Sequence, residues 1–203
     1  MPSSSDQTSQ LIAAARRADR QSLSTLLELF RNYLRLLART GIDTTLRGKA
    51  DPSDLVQETM IKATQNFDGF RGQSEAELAA WLRQILAQCL IHHARHYRAS
   101  TRRVTRERSL TDLLEQSSMH LSALAAGRAN LSESLPQGRD AGVVLAEAMA
   151  QLSDDYREVI TLRNLEQLEW AQVAKKMGRS ADAVRMLWLR ALKQLRPLVE
   201  ARI

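Results

Sequence analysis

The sequence predicts an all-α protein, with two small helical domains joined by a long linker. Three observations predict it. Ala, Leu, Arg, Gln and Glu dominate the 203 residues while only 3 Trp, 3 Tyr and 3 Phe occur, a balance that favours helices over sheets. Apolar residues recur at steps of three and four, the period of a helix with one buried face. Between positions 99 and 140 that period fades, and an irregular stretch of this length belongs between domains rather than inside one.

Residues 1–21 read as a flexible N-terminus running into the start of the first helix. Leu23, Leu27, Phe30, Leu34 and Leu37 then mark one face of a helix over about 22–39. Asp51-Pro52-Ser53-Asp54 has the form of a helix start: an Asp cap, a Pro in the first turn where its missing N–H is not needed, and a carboxylate near the positive end. The helix predicted over about 52–66 buries Val56, Met60, Ala63 and Phe67. It turns Asp54, Gln57, Glu58 and Ile61 outward as a continuous strip. The stretch from Phe67 to Ser74, with Gly69 and Gly72 among polar and aromatic residues, reads as a loop. Periodicity resumes at Glu75. Leu78, Leu82, Ile85 and Cys89 face a core beside Trp81, and Gln84, Gln88, His92 and Arg95 line the opposite face of a helix reaching about Arg98. From 99 to 140 Ser, Thr and Gly accumulate and Pro136-Gln137-Gly138 breaks any helix, so a linker with transient helical pieces is expected. Val143 to Leu152 opens a second helical unit within 141–203, and Ser153 caps a further helix over about 154–165 that buries Val159, Ile160 and Leu162.

The stretch from Trp170 to Leu187 has the requirements of a helix-turn-helix. Ala174 lets two helices approach closely, Gly178 supplies a left-handed turn, and Ser180 caps the second helix, whose Val184 and Leu187 face inward. That recognition helix exposes Asp182, Arg185, Met186, Arg190 and Lys193. Arg185 and Arg190 reach base edges or phosphates, and Lys193 phosphate.

Six arginines (95, 98, 102, 103, 106 and 108) stand against the lone Glu107. A solvated tail would carry the same charges, but this run ends the helix that bears Gln84, Gln88 and His92, which favours a nucleic-acid surface. Cys89, His92, His93 and His96 invite a metal reading that their setting opposes. No Glu stands between His92 and His96 as a hydrolytic zinc helix needs, and the arginines repel a cation. No phosphate-binding GxxxxGK[ST] loop or GxSxG turn occurs, so the sequence supports neither catalysis nor a cofactor.

The net charge of +6 and pI near 10.0 suit a polyanionic partner, and 44% hydrophobic with 26% charged residues is the composition of a globular protein. The single cysteine, Cys89, excludes an internal disulfide framework. The polar start, MPSSSDQTSQ, lacks the basic and apolar regions of a signal peptide, and no run approaches a membrane span. A cytoplasmic protein is the expectation.

Asp54-Leu55-Val56-Gln57-Glu58-Thr59, Phe67-Asp68-Gly69-Phe70-Arg71-Gly72 and Ala80-Trp81-Leu82-Arg83-Gln84-Ile85 resemble, in order and spacing, region 2 of bacterial sigma factors. Leu152 to Arg163 followed by the helix-turn-helix resembles their region 4. With these two regions alone, the chain resembles the small extracytoplasmic-function group of the sigma-70 family over roughly 22–98 and 141–200. The resemblance implies a factor that binds RNA polymerase core and directs promoter-specific initiation. It implies that Asp54, Gln57, Glu58 and Ile61 grip the β′ clamp helices. It implies that Phe70, Arg71, Gly72, Gln73 and Ser74 capture a flipped base of the minus-ten element, while Arg83, Gln84, Gln88, His92, Arg95 and Arg98 line the helix behind. Ser180, Asp182, Arg185, Arg190 and Lys193 would read the minus-thirty-five element beside the β flap. An anti-sigma protein is left open as a further partner. Gln88, His92 and Glu169 depart from the family's usual Asn, Asp and small hydroxyl residue. The competing class is a two-domain helix-turn-helix regulator that acts without core polymerase. It accounts for the C-terminal motif but not for the ordered strip, loop and Trp helix of the first domain.

Overall fold

The computed structural model describes residues 4–45, 51–97, 103–129 and 140–202, with side chains over 7–42, 51–94, 110–125 and 140–202. The described residues contain no strand. Helix α1 spans Ser4–Arg16, α2 Arg20–Glu28, α3 Arg31–Thr45, α4 Pro52–Asn66 and α5 Glu75–Tyr97. Helix α6 spans Arg103–Ala129, α7 Ala141–Ala150, α8 Asp154–Ile160, α9 Trp170–Met177 and α10 Ala181–Glu200.

The first group of helices forms around α3. Phe30, Tyr33, Leu34, Leu37 and Ala38 are fully buried there, and α3 packs against α4, α5, α6 and α7. Helix α4 begins where the sequence places it: the Asp51 carboxylate accepts from the Ser53 amide at 2.6 Å, and Pro52 occupies the first turn. Leu55, Val56, Thr59 and Ala63 form its buried stripe, with Met60 half-buried. In α5, Leu78, Leu82, Leu86, Cys89 and Leu90 are buried while Gln84, Gln88 and His92 are exposed, as the periodicity requires.

Three sequence expectations are corrected. Residues 4–16, expected as part of a flexible lead, form α1, which docks through Ile12 and Ala15, and the Thr8 hydroxyl donates to the buried Glu75 carboxylate at 3.2 Å. The helix expected over 22–39 is two, α2 and α3, divided at Leu29 and Phe30, where the Phe30 amide donates to Leu27 only three residues back. The apolar period passes through this break because Phe30 itself stays buried. Third, the joining segment, expected to be irregular, carries a long helix over Arg103–Ala129. Helix α6 buries Leu110, Leu114, Leu121 and Leu124 at steps that are multiples of a helical period, and Ser117 and Ser118 fill the gap between them. Hydroxyls at two core positions interrupt the apolar count, yet the Ser118 and Tyr33 hydroxyls are bonded at 2.9 Å, so the burial is satisfied.

Helix α7 is apolar on nearly every side, with Glu147 its one charged residue. Gly142 to Ala146, Ala148 and Met149 are buried, the pattern of a helix covered on more than one side. It packs against α3 and α6 on the one hand and α10 on the other, so the two helical groups meet across it. The Asp140 carboxylate caps it, accepting from the Gly142 and Val143 amides at 2.8 and 3.1 Å. At its other end the Arg157 guanidinium donates to the carbonyls of Met149, Ala150 and Leu152. An ion pair between Arg39 and Glu158 also joins the groups.

Helix α8 runs into a wider π-helical turn over Thr161–Leu165, and Leu165, expected as the end of that helix, is buried in the turn. Helices α9 and α10 form the expected helix-turn-helix. Val173, Ala174 and Val184 are buried, Gly178 adopts φ +63°, and the Arg179 amide closes the end of α9 onto Ala174 at 3.0 Å. The Ser180 hydroxyl accepts from the Ala183 amide at 3.2 Å. Nothing lies within 4 Å of a Cβ built on Gly178, so Gly178→Ala meets only the left-handed backbone penalty. Its expected cost is about 1–2 kcal/mol, read as a lower melting temperature with the helical spectrum retained.

Candidate nucleic-acid interface

The α4 strip lies where the helical period puts it. Asp54 and Gln57 are exposed, and Ile61 is 50% exposed, an isolated apolar residue on a polar face. Glu58 is different. It is held by Lys62 at 2.7 Å and His93 at 2.8 Å. Burial raises its carboxyl, but hydrogen bonds from Lys62 and His93 outweigh that and hold it below the ordinary Glu value. His93, on α5, was not among the expected strip residues, because only the packing of α5 on α4 brings it there.

The loop after α4 rests on an aromatic cluster. Phe67, Phe70 and Trp81 pack with ring centroids 5.2 to 6.1 Å apart. Phe70, expected to touch DNA, is 4% exposed and supports the loop from beneath. A Cβ on Gly72 would lie 2.5 Å from the Phe70 ring and 2.7 Å from the Glu77 Cβ, so this position admits glycine alone without a shift. The Glu77 carboxylate accepts from the Gln73 amide at 2.8 Å, the Ser74 amide at 3.0 Å and the Ser74 hydroxyl at 2.8 Å. The Gln73 amide is the largest cause, with Ser74 next, of a Glu77 carboxyl below its ordinary value. The Ser74 hydroxyl in turn accepts from the Glu77 amide at 3.2 Å, a capping box that starts α5. Arg16 of α1 donates to the Gly72 carbonyl at 2.5 Å. The loop is thus pinned at its backbone and presents Arg71 and Gln73 as exposed side chains. Glu77 was legible as the fourth residue of Ser74-Glu75-Ala76-Glu77; Arg16 had no local signal.

On α5, Gln84, Gln88 and His92 form an exposed line at four-residue spacing. Arg83, expected on the same surface, is corrected. Its side chain is 12% exposed, donates to the Tyr33 hydroxyl at 2.7 Å and to Glu115 at 3.2 Å, and stands 4.0 Å from Asp140. It faces α6 and the cap of α7 because Tyr33, Glu115 and Asp140 converge there. Arg98, and the side chain of Arg95, lie outside the described residues, as do the side chains of the remaining arginines of that run. Cys89 is buried, with the Thr59 hydroxyl 3.7 Å from its sulfur, whereas His92 is exposed. No metal-holding cluster occurs among the described residues.

On α10, Asp182, Arg185, Met186, Arg190 and Lys193 are all exposed. Arg185 pairs with Asp182 at 3.0 Å and lies 5.9 Å from the Trp170 ring. The Ser180 hydroxyl is committed to capping the start of α10. Arg179, in the turn, pairs with Asp155 of α8 at 2.5 Å. The Gln172 side chain accepts from the Glu169 amide at 3.0 Å, which starts α9 without a small hydroxyl cap. Trp170 and Trp188 meet edge to face at 5.5 Å, and the Trp188 indole donates to Asn164 at 2.9 Å, fixing both helices on the turn below. No helix among the described residues is long and apolar enough to cross a membrane.

Comparison with known proteins finds two matching regions. Residues 29–100 match the family model for sigma-70 region 2, and residues 143–195 match that for sigma-70 region 4. The chain is 29% identical over 152 residues to the ECF RNA polymerase sigma factor BldN of Streptomyces coelicolor, an alignment covering 75% of this chain and 52% of that protein. It is 26% identical over 189 residues to the ECF RNA polymerase sigma-E factor of Haemophilus influenzae, covering 91% of each. It is 32% identical over 161 residues to the ECF RNA polymerase sigma factor SigG of Mycobacterium tuberculosis, covering 71% of this chain and 41% of that one. The chain thus spans about half the length of the first relative, less of SigG and nearly all of the Haemophilus protein. Carrying regions 2 and 4 in the family's order on an all-helical fold, the chain belongs to the sigma-70 family, in its extracytoplasmic-function group.

Proposed function

We propose that the chain binds RNA polymerase core and directs promoter-specific initiation. In this reading α4 engages the β′ clamp helices, the pinned loop captures a base of the minus-ten element, and α10 reads the minus-thirty-five duplex. The ordered combination of an outward α4 strip, a backbone-pinned loop and a capped helix-turn-helix carries the reading. A regulator needing only duplex binding has use for the last of these alone. Arg71, Gln73, Gln84, Gln88 and His92 form the exposed set available to the minus-ten strand. Arg185, Arg190 and Lys193 supply cationic contacts in the upstream groove. Phe70, Gly72 and Ser74 shape the loop, and Arg83 is left out of the contact set because Tyr33, Glu115 and Asp140 hold it.

The strip tests the core-binding half. Gln57 and Ile61 are exposed and hold nothing in the fold, unlike Glu58. Gln57→Ala with Ile61→Ala is expected to weaken capture by core polymerase about tenfold, roughly 1.4 kcal/mol, with helicity unchanged. Unaltered affinity in a core pull-down would remove α4 from the polymerase contact.

A further inference from the structure

The recognition helix carries two large apolar side chains that the fold does not use: Met186 and Leu189 are each 51% exposed. The buried line of α10 runs through Val184, Ala191, Leu195 and Val199. At about 100° per residue, Met186 lies roughly opposite that line, with Leu189 one turn further along. Arg185 falls about 100° to one side of Met186 and Arg190 about 40° to the other, so apolar surface sits between cationic groups. Met186 is also the sixth residue of the helix, within the turns that approach base edges when such a helix lies in a major groove.

Each flanking cation suits a phosphate, and Arg185 is further drawn aside by Asp182 and Trp170. The central position therefore meets the groove floor. A thioether there has no hydrogen bond to offer a base edge. The one apolar group that a major-groove edge presents is the C5-methyl of thymine. We infer that Met186, with Leu189 beside it, is a specificity-determining contact that selects thymine through its methyl group in the upstream promoter duplex. This rests on the reading of α10 as the upstream-element reader.

The test uses holoenzyme assembled from core polymerase and the full chain. An upstream element is first selected from a library randomised only in that region, and each thymine in it is then replaced by deoxyuridine, which removes the methyl and leaves pairing intact. Wild-type holoenzyme is expected to bind about fourfold more weakly when one such thymine is replaced, the worth of one buried methyl. Met186→Ala, at a half-exposed position outside the buried line of α10, is expected to melt close to the wild type and to bind the thymine and deoxyuridine duplexes equally. An element selected without thymine, an unresponsive thymine, or a thymine preference that survives in both Met186→Ala and Leu189→Ala would overturn the inference while leaving α10 a duplex reader. Recovery of no upstream element at all would instead overturn the duplex-reading role, and this inference with it.

Discussion

Arg83→Ala is expected to lower the stability of the folded chain by about 3 kcal/mol at neutral pH, the low end of the cost of removing one partner from a buried charge pair. The low end applies because Asp140, 13% exposed at its side chain, keeps the Gly142 and Val143 amides when Arg83 is gone, and because the Arg83–Asp140 approach is 4.0 Å. Tyr33 keeps Ser118. Burial, with Arg83 opposing it, pushes the Tyr33 hydroxyl up to about 12, so that group stays neutral throughout. The pH dependence follows from Asp140. Burial raises its carboxyl above the ordinary Asp value, against the Val143 amide, Arg83 and the Gly142 amide, which lower it. A carboxyl raised in the folded state favours folding while protonated. Its contribution is fully present below the unfolded Asp value and is lost as pH rises through the folded one. Without Arg83 the folded value rises further, so the damage should be largest at neutral pH and shrink towards about pH 4, near the unfolded Asp value. Urea unfolding of wild type and Arg83→Ala across this range measures it. An equal loss at both ends would show that Arg83 acts by packing alone.

Replacing Arg71 and Gln73 together by alanine is expected to abolish promoter opening while core binding is retained. These two side chains are exposed on a loop whose backbone is held by Glu77 and Arg16. Gly72 and Ser74 must stay, the first because a Cβ would strike the Phe70 ring and the second because it caps α5. A stacked base is out of reach inside a duplex, so a reader of the minus-ten element gains by holding one extruded base in a fixed pocket. Permanganate reactivity of unpaired thymines, with core present, reads the opening. Normal reactivity in the double variant would reduce the loop to a connector.

The parts of the fold that the sequence reveals are those specified locally. Asp51-Pro52 and the following period define α4, and Gly178 with Ser180 defines the turn before α10, because caps and left-handed residues act within a few positions. Packing decides the rest. Helix α6 escapes a reading by apolar count because Ser117 and Ser118 occupy buried sites, and the division of α2 from α3 escapes it because Phe30 holds the apolar phase through the break. The candidate interface divides in the same way. Gln57, Gln84, Gln88, His92 and the α10 residues follow from helical period, whereas Arg83 is withdrawn by partners 50 and 32 positions away, and Glu58 by His93 at a separation of 35. Phe70 looks like a base-stacking aromatic in one dimension and is a core residue in three.

The most direct measurement is transcription from promoter-containing genomic DNA by purified core polymerase with and without the chain, alongside binding of the same DNA by the chain alone. Transcripts starting at defined positions are expected only when core and chain are both present, and Gln57→Ala with Ile61→Ala is expected to reduce all of them together. Tight, sequence-specific duplex binding by the chain without core, with no new start sites when core is added, would contradict these expectations.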